Sequence, residues 1–158
     1  MKKLMISALL LISAAISVQA QDWSDIYSRY SGKEGVSSVY ISPAMFKLMQ
    51  KLPEVQVEAE EVDLTGIIRT FNGMYILDIE DAETAGKLSG EIREKFDGKK
   101  YELLMEAKDG PEEMKIFIVS KGDIVTDLIM FTTEKTSASL IAITGEIPYS
   151  ELQKLIAE

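Results

Sequence analysis

The apolar positions of the chain follow two kinds of spacing, and the change occurs near Tyr101. Before that residue they recur every three or four positions in three stretches, as they do on one side of an α-helix. The spacing predicts helices over Met45–Leu52, Leu64–Phe71 and Ala85–Phe96. Asp81 suits the N-cap of the third helix, because its short carboxylate can accept a bond from the first turn.

Extended segments alternate with these helices. Val36–Ile41 is rich in β-branched and aromatic residues, which predicts a first strand. Ser42 and Pro43 end it, and they are typical of the cap and the first residue of a helix. Met74–Ile79 is a nearly continuous apolar run, typical of a strand buried on both faces.

Later in the chain the spacing becomes two, which is the period of a β-strand. In the first such segment Tyr101, Leu103 and Met105 would face the core. Pro148 would open a short terminal helix. Short turns separate the segments, which therefore predict an antiparallel meander. Its four strands are Tyr101–Ala107, Met114–Ser120, Ile124–Thr132 and Ser137–Gly145.

This order of elements predicts an α+β fold, with helices packed on one face of a largely antiparallel sheet that ends in the four-strand meander. Residues 36–158 would form this single domain, and the polar and aromatic segment 21–35 would precede it. If helices cover one face only, the meander exposes a second apolar face, which is typical of a partner site. The alternative is that segment 21–35 or a second layer covers that face. The interface candidates are Phe117, Val119, Ile129 and Phe131.

Residues 1–20 have the features of a signal peptide. Two lysines precede an apolar run, and Val18 and Ala20 are small residues at the −3 and −1 positions of a cleavage site. We therefore expect cleavage after Ala20 and export to the periplasm or the medium. The alternative is an uncleaved anchor, but about fifteen apolar residues span only about 22 Å of a hydrocarbon layer about 30 Å thick. The sequence contains no Cys to carry a lipid tether.

Composition narrows the chemistry further. The 158 residues include no Cys and no His, which excludes disulfides, thiolate chemistry, typical zinc sites and imidazole catalysis. No serine has a lysine three residues downstream to serve as a base. The formal net charge of −9 disfavours nucleic acid and anionic lipid as partners. We predict no cofactor and no catalytic residue.

Acidic residues leave two alternatives open. Asp78, Glu80 and Asp81 cluster at the end of a predicted strand, where three carboxylates could share a calcium ion. Their spacing lacks the pattern of an EF-hand loop. A small-ligand or calcium-binding protein is therefore the second hypothesis, and a carboxylate-based hydrolase is a more remote one.

Several segments of the chain, together with residues 1–20, resemble those of a known protein family. They are the run from Tyr30 to Ser42 (YSGKEGVSSVYIS), the following Met45-Phe46, the junction Leu77–Ala82 and the closing strand Leu140–Glu146. In these segments the chain resembles the secreted bacterial family catalogued as domain of unknown function 4252. The resemblance implies export in Gram-negative bacteria, and it supplies no activity and no catalytic residue. Members often look like lipoproteins, a pattern from which this cysteine-free chain departs.

These observations favour an exported, non-enzymatic binding module. Its partner would be another protein or a second copy of the chain, because the meander offers an apolar face and the sequence offers no recognisable catalytic group.

The mature protein should begin at Gln21, because signal peptidase cuts after small residues at −3 and −1. Intact-mass spectrometry of protein recovered from its source would show this, and Ala20→Lys should block the processing. A wild-type protein that retains Met1 would identify residues 1–20 as a membrane anchor instead.

Overall fold

The described part of the chain contains five helices and six strands. The computed structural model describes residues 22–51, 64–96, 98 and 100–156. The predicted signal peptide and Leu52, the predicted end of a helix, lie outside these residues. The helices are α1 (Asp22–Tyr30), α2 (Pro43–Met49), α3 (Leu64–Ile68), α4 (Ala82–Lys95) and α5 (Tyr149–Ile156). The strands are β1 (Val36–Ile41), β2 (Phe71–Ile79), β3 (Glu102–Asp109), β4 (Glu112–Lys121), β5 (Ile124–Thr133) and β6 (Ala138–Pro148).

All six strands form one antiparallel sheet in the order β1-β2-β6-β5-β4-β3. Strands β3 to β6 are neighbours in chain order, which confirms the predicted meander and the α+β class. Strand β2 pairs with the last strand, β6, and so brings the β1–β2 pair alongside the meander. Strands β1 and β3 are therefore the two edges of the sheet.

Helices α1 and α4 cover one face of the sheet, which we call the covered face. Helix α1 buries Trp23, Ile26 and Tyr30, whose spacing places them on one side of the helix. Helix α4 begins as predicted, because Asp81 accepts a 2.8 Å bond at its Oδ1 from the backbone N–H of Thr84. The strand residues beneath the two helices are Leu77, Ile79, Phe117, Ile129, Phe131, Leu140 and Ala142.

The same two helices are also joined to each other. Arg29 forms a bidentate ion pair with Glu91 of α4, and its Nη1 lies 2.9 Å from Glu91 Oε1. The hydroxyl of Tyr30 donates a 2.8 Å bond to Glu91 Oε1. Burial, followed by this bond to a carboxylate, raises the pKa of Tyr30 to about 12. The end of α1 is thus fixed to α4 as well as to the sheet.

The interface candidates lie on the covered face, so the prediction that they form an exposed patch is wrong. Phe117, Ile129 and Phe131 are buried, and Val119 packs against the same core. Helix α1 lies within segment 21–35, which was the alternative cover. The physical reason is that the apolar side of α1 needs a surface to bury, and this face of the meander provides it.

A register shift between Val125 and Asp127 of strand β5 places these two side chains on opposite faces of the sheet. Without it, residues two apart in a strand would share a face. Asp127 lies opposite Val119 and reaches the covered face, where its Oδ1 accepts a 2.9 Å bond from Nε1 of Trp23. The hydroxyl of Thr126 donates a 2.7 Å bond to the other oxygen, Oδ2. Asp127 is only 3% exposed, and a buried carboxylate requires such donors. Val125 belongs to a core cluster on the opposite face.

Among the residues that the structure describes, short helices cover one end of that opposite face, which we call the half-open face. Ile67 of α3 and Leu152 of α5 are buried there against the sheet. Helix α2 packs at the same end, where the rings of Phe46 and Phe71 lie 5.9 Å apart. The buried strand residues of this cluster are Ile118, Val125 and Ile147.

The second predicted helix is shorter than its apolar spacing indicates. Helix α3 ends at Ile68, and Phe71 and Gly73 belong to strand β2. Gly145 of β6 approaches the carbonyl of Thr70 so closely that a Cβ at this position would collide with it. Pairing between β2 and β6 therefore overrides the helical spacing of the sequence.

Two apolar sets are more exposed than the pattern predicts. Helix α2 buries Phe46 and leaves Met45 and Leu48 exposed. Strand β3 is exposed along its whole length, including Leu103 and Met105. The reason is its position at the edge of the sheet, where it has one neighbouring strand.

Strand β2 is not buried on both faces as predicted. Leu77 and Ile79 are buried, whereas Ile76 is half-buried and Asp78 is exposed on the other face. Pro148 ends β6, and the last helix begins one residue later. Within the described residues no helix has the length and apolar character needed to cross a bilayer.

Trp23→Phe should lower the free energy of unfolding by about 1–3 kcal/mol, because it removes a donor from a buried carboxylate. Urea denaturation monitored by circular dichroism would measure the change. Tyr27→Phe on the same helix is the matched control and should change stability by less than about 0.5 kcal/mol. Equal stability of Trp23→Phe and wild type would show that the bond to Asp127 contributes nothing to holding α1.

Candidate functional site

The half-open face carries a continuous row of apolar side chains that crosses the whole sheet. Cross-strand pairing places one residue from each strand in this row, and each member lies opposite the next. No charged residue interrupts it. We call it the apolar row, and its members from edge to edge are Val39, Ile76, Ile141, Met130, Ile116 and Met105.

The apolar row is accessible from solvent. Val39 and Met105 at its two ends are 48% and 43% exposed, and the four central members are half-buried. The row next to it contains Ile118, which is buried because α3 and α5 pack at that end. These helices therefore stop short of the apolar row.

Polar residues border the apolar row on its other side. Ser37, Asp78, Ser139 and Thr132 form the next row across β1, β2, β6 and β5. On β4 and β3 the same row continues with Met114 and Ala107. The open strip thus has a polar margin along four of its six strands on one side and the short helices on the other. Those helices also expose Met45, Leu48 and Ile68.

Charge is distributed unevenly between the two faces of the sheet. On the half-open face the charged strand residues are all acidic, and register places Glu102, Asp109 and Glu112 there in addition to Asp78. The alternation of side chains sends Lys108 and Lys115 to the covered face. Lys47 belongs to helix α2, which packs at one end of the half-open face, and not to a strand.

A second feature is a pocket of about 340 Å³ on the covered face, beyond the end of α4. Its aromatic wall contains Phe96, which stacks on Tyr101 with ring centroids 3.9 Å apart and meets Phe117 edge-on at 5.1 Å. Phe131 also lines it. Two of the predicted interface residues, Phe117 and Phe131, therefore contribute to a pocket.

The rim of this pocket carries paired charges. Lys115 lies 3.0 Å from Glu113 and 3.4 Å from Glu106, and Lys108 contacts the same two carboxylates at 3.1 and 3.2 Å. Hydrogen bonds from Lys115 and then Lys108 lower the pKa of Glu113 to about 2. Glu113 is therefore ionised at neutral pH, which makes it a poor general acid for hydrolysis.

The carboxylates of the predicted calcium ligands, Asp78, Glu80 and Asp81, do not converge on a common point as metal ligands must. Asp81 is occupied as the cap of α4, with bonds from the backbone and hydroxyl of Thr84. Asp78 faces the half-open side from within β2, and Glu80 is exposed beyond its end. Among the described residues no three acidic side chains come close enough to hold a metal ion.

The sequence contains a signal for the apolar row that the prediction missed. Ile116, Met130 and Ile141 alternate with the residues that became the core, so both faces of the meander are apolar. Alternation alone does not say which set the helices bury. The prediction placed the open surface on the wrong set.

Glu113→Gln should lower the melting temperature at pH 7 by about 3 °C, because it removes a partly exposed network of ion pairs. A depressed carboxyl pKa stabilises the fold above the ordinary value and ceases to do so as the pH falls toward about 2. The difference from wild type should therefore vanish between pH 4.5 and pH 2. Thermal denaturation across this range tests it, with the exposed neighbour Glu112→Gln as the control that should change little. A difference that persists at pH 2 would contradict the assignment.

A family model matches most of the chain. It covers residues 30–155 and is described as a domain of unknown function, DUF4252. The match includes the whole sheet and both candidate sites. No curated protein and no solved structure matches the chain. The chain therefore belongs to the DUF4252 family.

Proposed function

We propose that the protein is an exported, non-enzymatic interaction module that binds a protein partner through the apolar row. The observation that carries the proposal is a row of six uncharged apolar side chains that crosses an entire sheet and has none of the described helices over it. Five spacings of about 4.8 Å give the row a length of about 24 Å. Exposed apolar surface of this extent is typical of a binding site.

The margins of the apolar row support a binding role over incomplete folding. A polar row containing Ser37, Asp78 and Ser139 limits it on one side across β1, β2, β6 and β5, and a packed helical cluster limits it on the other. The core on the covered face is complete without it. An apolar centre with a polar rim is the usual composition of a protein interface.

Export is part of the proposal, and it rests on the features of residues 1–20. A leader with two lysines, an apolar run and small residues before Gln21 is typical of a secreted protein. The absence of cysteine from the sequence suits an oxidising compartment, because no thiol can be mispaired there.

A small-ligand protein is the second candidate function. The pocket of about 340 Å³ favours it, because aromatic side chains form its wall and charged groups its rim. The ion pairs that occupy Glu106 and Glu113 favour binding over carboxylate-based hydrolysis at this place. The apolar row is the stronger candidate because it is larger and spans every strand.

Site-specific photocrosslinking tests the proposed function. A benzoylphenylalanine introduced at Val39 or at Met105 should form a discrete adduct with one protein in the source cells. Both positions are exposed, so the substitution should leave the fold intact. Leu103 is the matched control, because it is an exposed apolar residue on the same edge strand but on the covered face.

The pattern of adducts decides between the candidates. The same adduct from Val39 and Met105, and none from Leu103, supports the apolar row as the interface. Adducts from Leu103 alone would move the interface to the covered face. Adducts from no position would contradict the interaction function.

A further inference from the structure

We infer that the apolar row binds an amphipathic α-helix of the partner whose apolar side is bordered by lysine or arginine. The inference rests on the proposed function and goes beyond it by naming the structure and charge of the segment that binds.

The dimensions of the open strip fit a single helix. Its length of about 24 Å corresponds to about 16 helical residues at 1.5 Å each. The width of the strip is the distance between the polar row, at Asp78, and the row on its other side, at Met74. These residues are four positions apart along β2, which is about 13 Å. A helix with its side chains has a diameter of about 10–12 Å.

The exposed groups of the strip also favour a helix over an added strand. Strand addition requires the unpaired backbone groups of a sheet edge. The apolar row presents side chains on a face, and its four central strands are paired on both sides. A helix satisfies its own backbone groups, so it can bury an apolar side on this face without losing hydrogen bonds.

The charges around the strip select a basic partner. Asp78 lies on the polar margin beside Ile76, toward the β1 end of the row. Asp109 and Glu112 lie at the other end of the same face, four residues along their strands from Met105 and Ile116. On the described strands of this face no lysine or arginine balances them. Cationic side chains along one border of a helix would complement these carboxylates.

The same charges argue against a second copy as the occupant. The charged strand residues of this face are all acidic and each chain carries a formal charge of −9, so two copies packed face to face would bring two acidic surfaces together. Like charges across an interface are unfavourable. The acidic strand residues of this face also disfavour an anionic membrane surface.

The experiment uses the full mature chain and a synthetic 18-residue helical peptide. The peptide has leucine at positions i, i+3, i+4 and i+7 and lysine along one border of that apolar side. We expect it to bind, to gain helicity on binding and to bind more weakly as salt increases from 50 to 300 mM. A peptide with glutamate in place of every lysine should bind at least tenfold more weakly, and so should a scrambled peptide without an apolar side.

Variants of the protein locate the site. Met105→Lys should weaken binding about tenfold or more, because it places a charge in the apolar row. Met105 is exposed, so this variant should fold normally, and Leu103→Lys on the other face should bind like wild type. Asp78→Asn should weaken binding of the lysine peptide about two- to fivefold and should not weaken binding of the glutamate peptide.

The outcomes separate the inference from the function on which it rests. Equal or tighter binding of the glutamate peptide would overturn the inference, and so would a stable dimer that Met105→Lys abolishes or a preference for neutral lipid vesicles. If photocrosslinking from Val39 and Met105 captures a protein but no basic helix binds, the interaction function stands and the inference fails. If neither experiment gives a signal from the apolar row, both fail.

Discussion

A single sheet has two faces to bury, and the described part of this chain contains only two helices of more than eight residues. Helices α1 and α4 are those two, and both lie on the covered face. The remaining helices are short and pack at one end of the half-open face. The shortage of helix is the constraint from which the candidate interface follows, since the described helices leave apolar residues of every strand uncovered.

The position of α1 determines which face is closed. Trp23 donates to the buried carboxylate of Asp127 and packs against the ring of Tyr75 at 4.8 Å between centroids. The C-terminal end of α1 is held to α4 by the contacts of Arg29 and Tyr30 with Glu91. A buried carboxylate would be costly in an apolar core, so Asp127 and Trp23 each require the other in place. The register shift at Thr126 makes this pairing geometrically available, because it turns Asp127 toward α1 and Val125 toward the opposite cluster.

The two candidate sites have different chemistry because charge is separated between the faces. The half-open face combines an uncharged row with an acidic margin, which suits a large partner with apolar and basic character. In the pocket on the covered face, Lys115 is already paired with the carboxylates of Glu106 and Glu113 beside an aromatic wall. Lys115 and Glu113 thus neutralise each other, whereas Asp78 on the other face is exposed to solvent.

The sequence by itself determined the class of fold, the meander, and the caps at Ser42 and Asp81, because these depend on local spacing and local hydrogen bonds. Its helical spacing also predicted which side of α4 is buried, the side with Ala85, Leu88 and Ile92. It could not determine where helix spacing yields to sheet pairing, as at Phe71, since that depends on contact with Gly145, far away in the chain. Above all, it could not say which face of the meander the helices bury. Alternation defines two apolar sets, one with Phe117 and one with Ile116, and gives them equal standing. Only the tertiary structure decided between them, through the docking of α1 at Asp127.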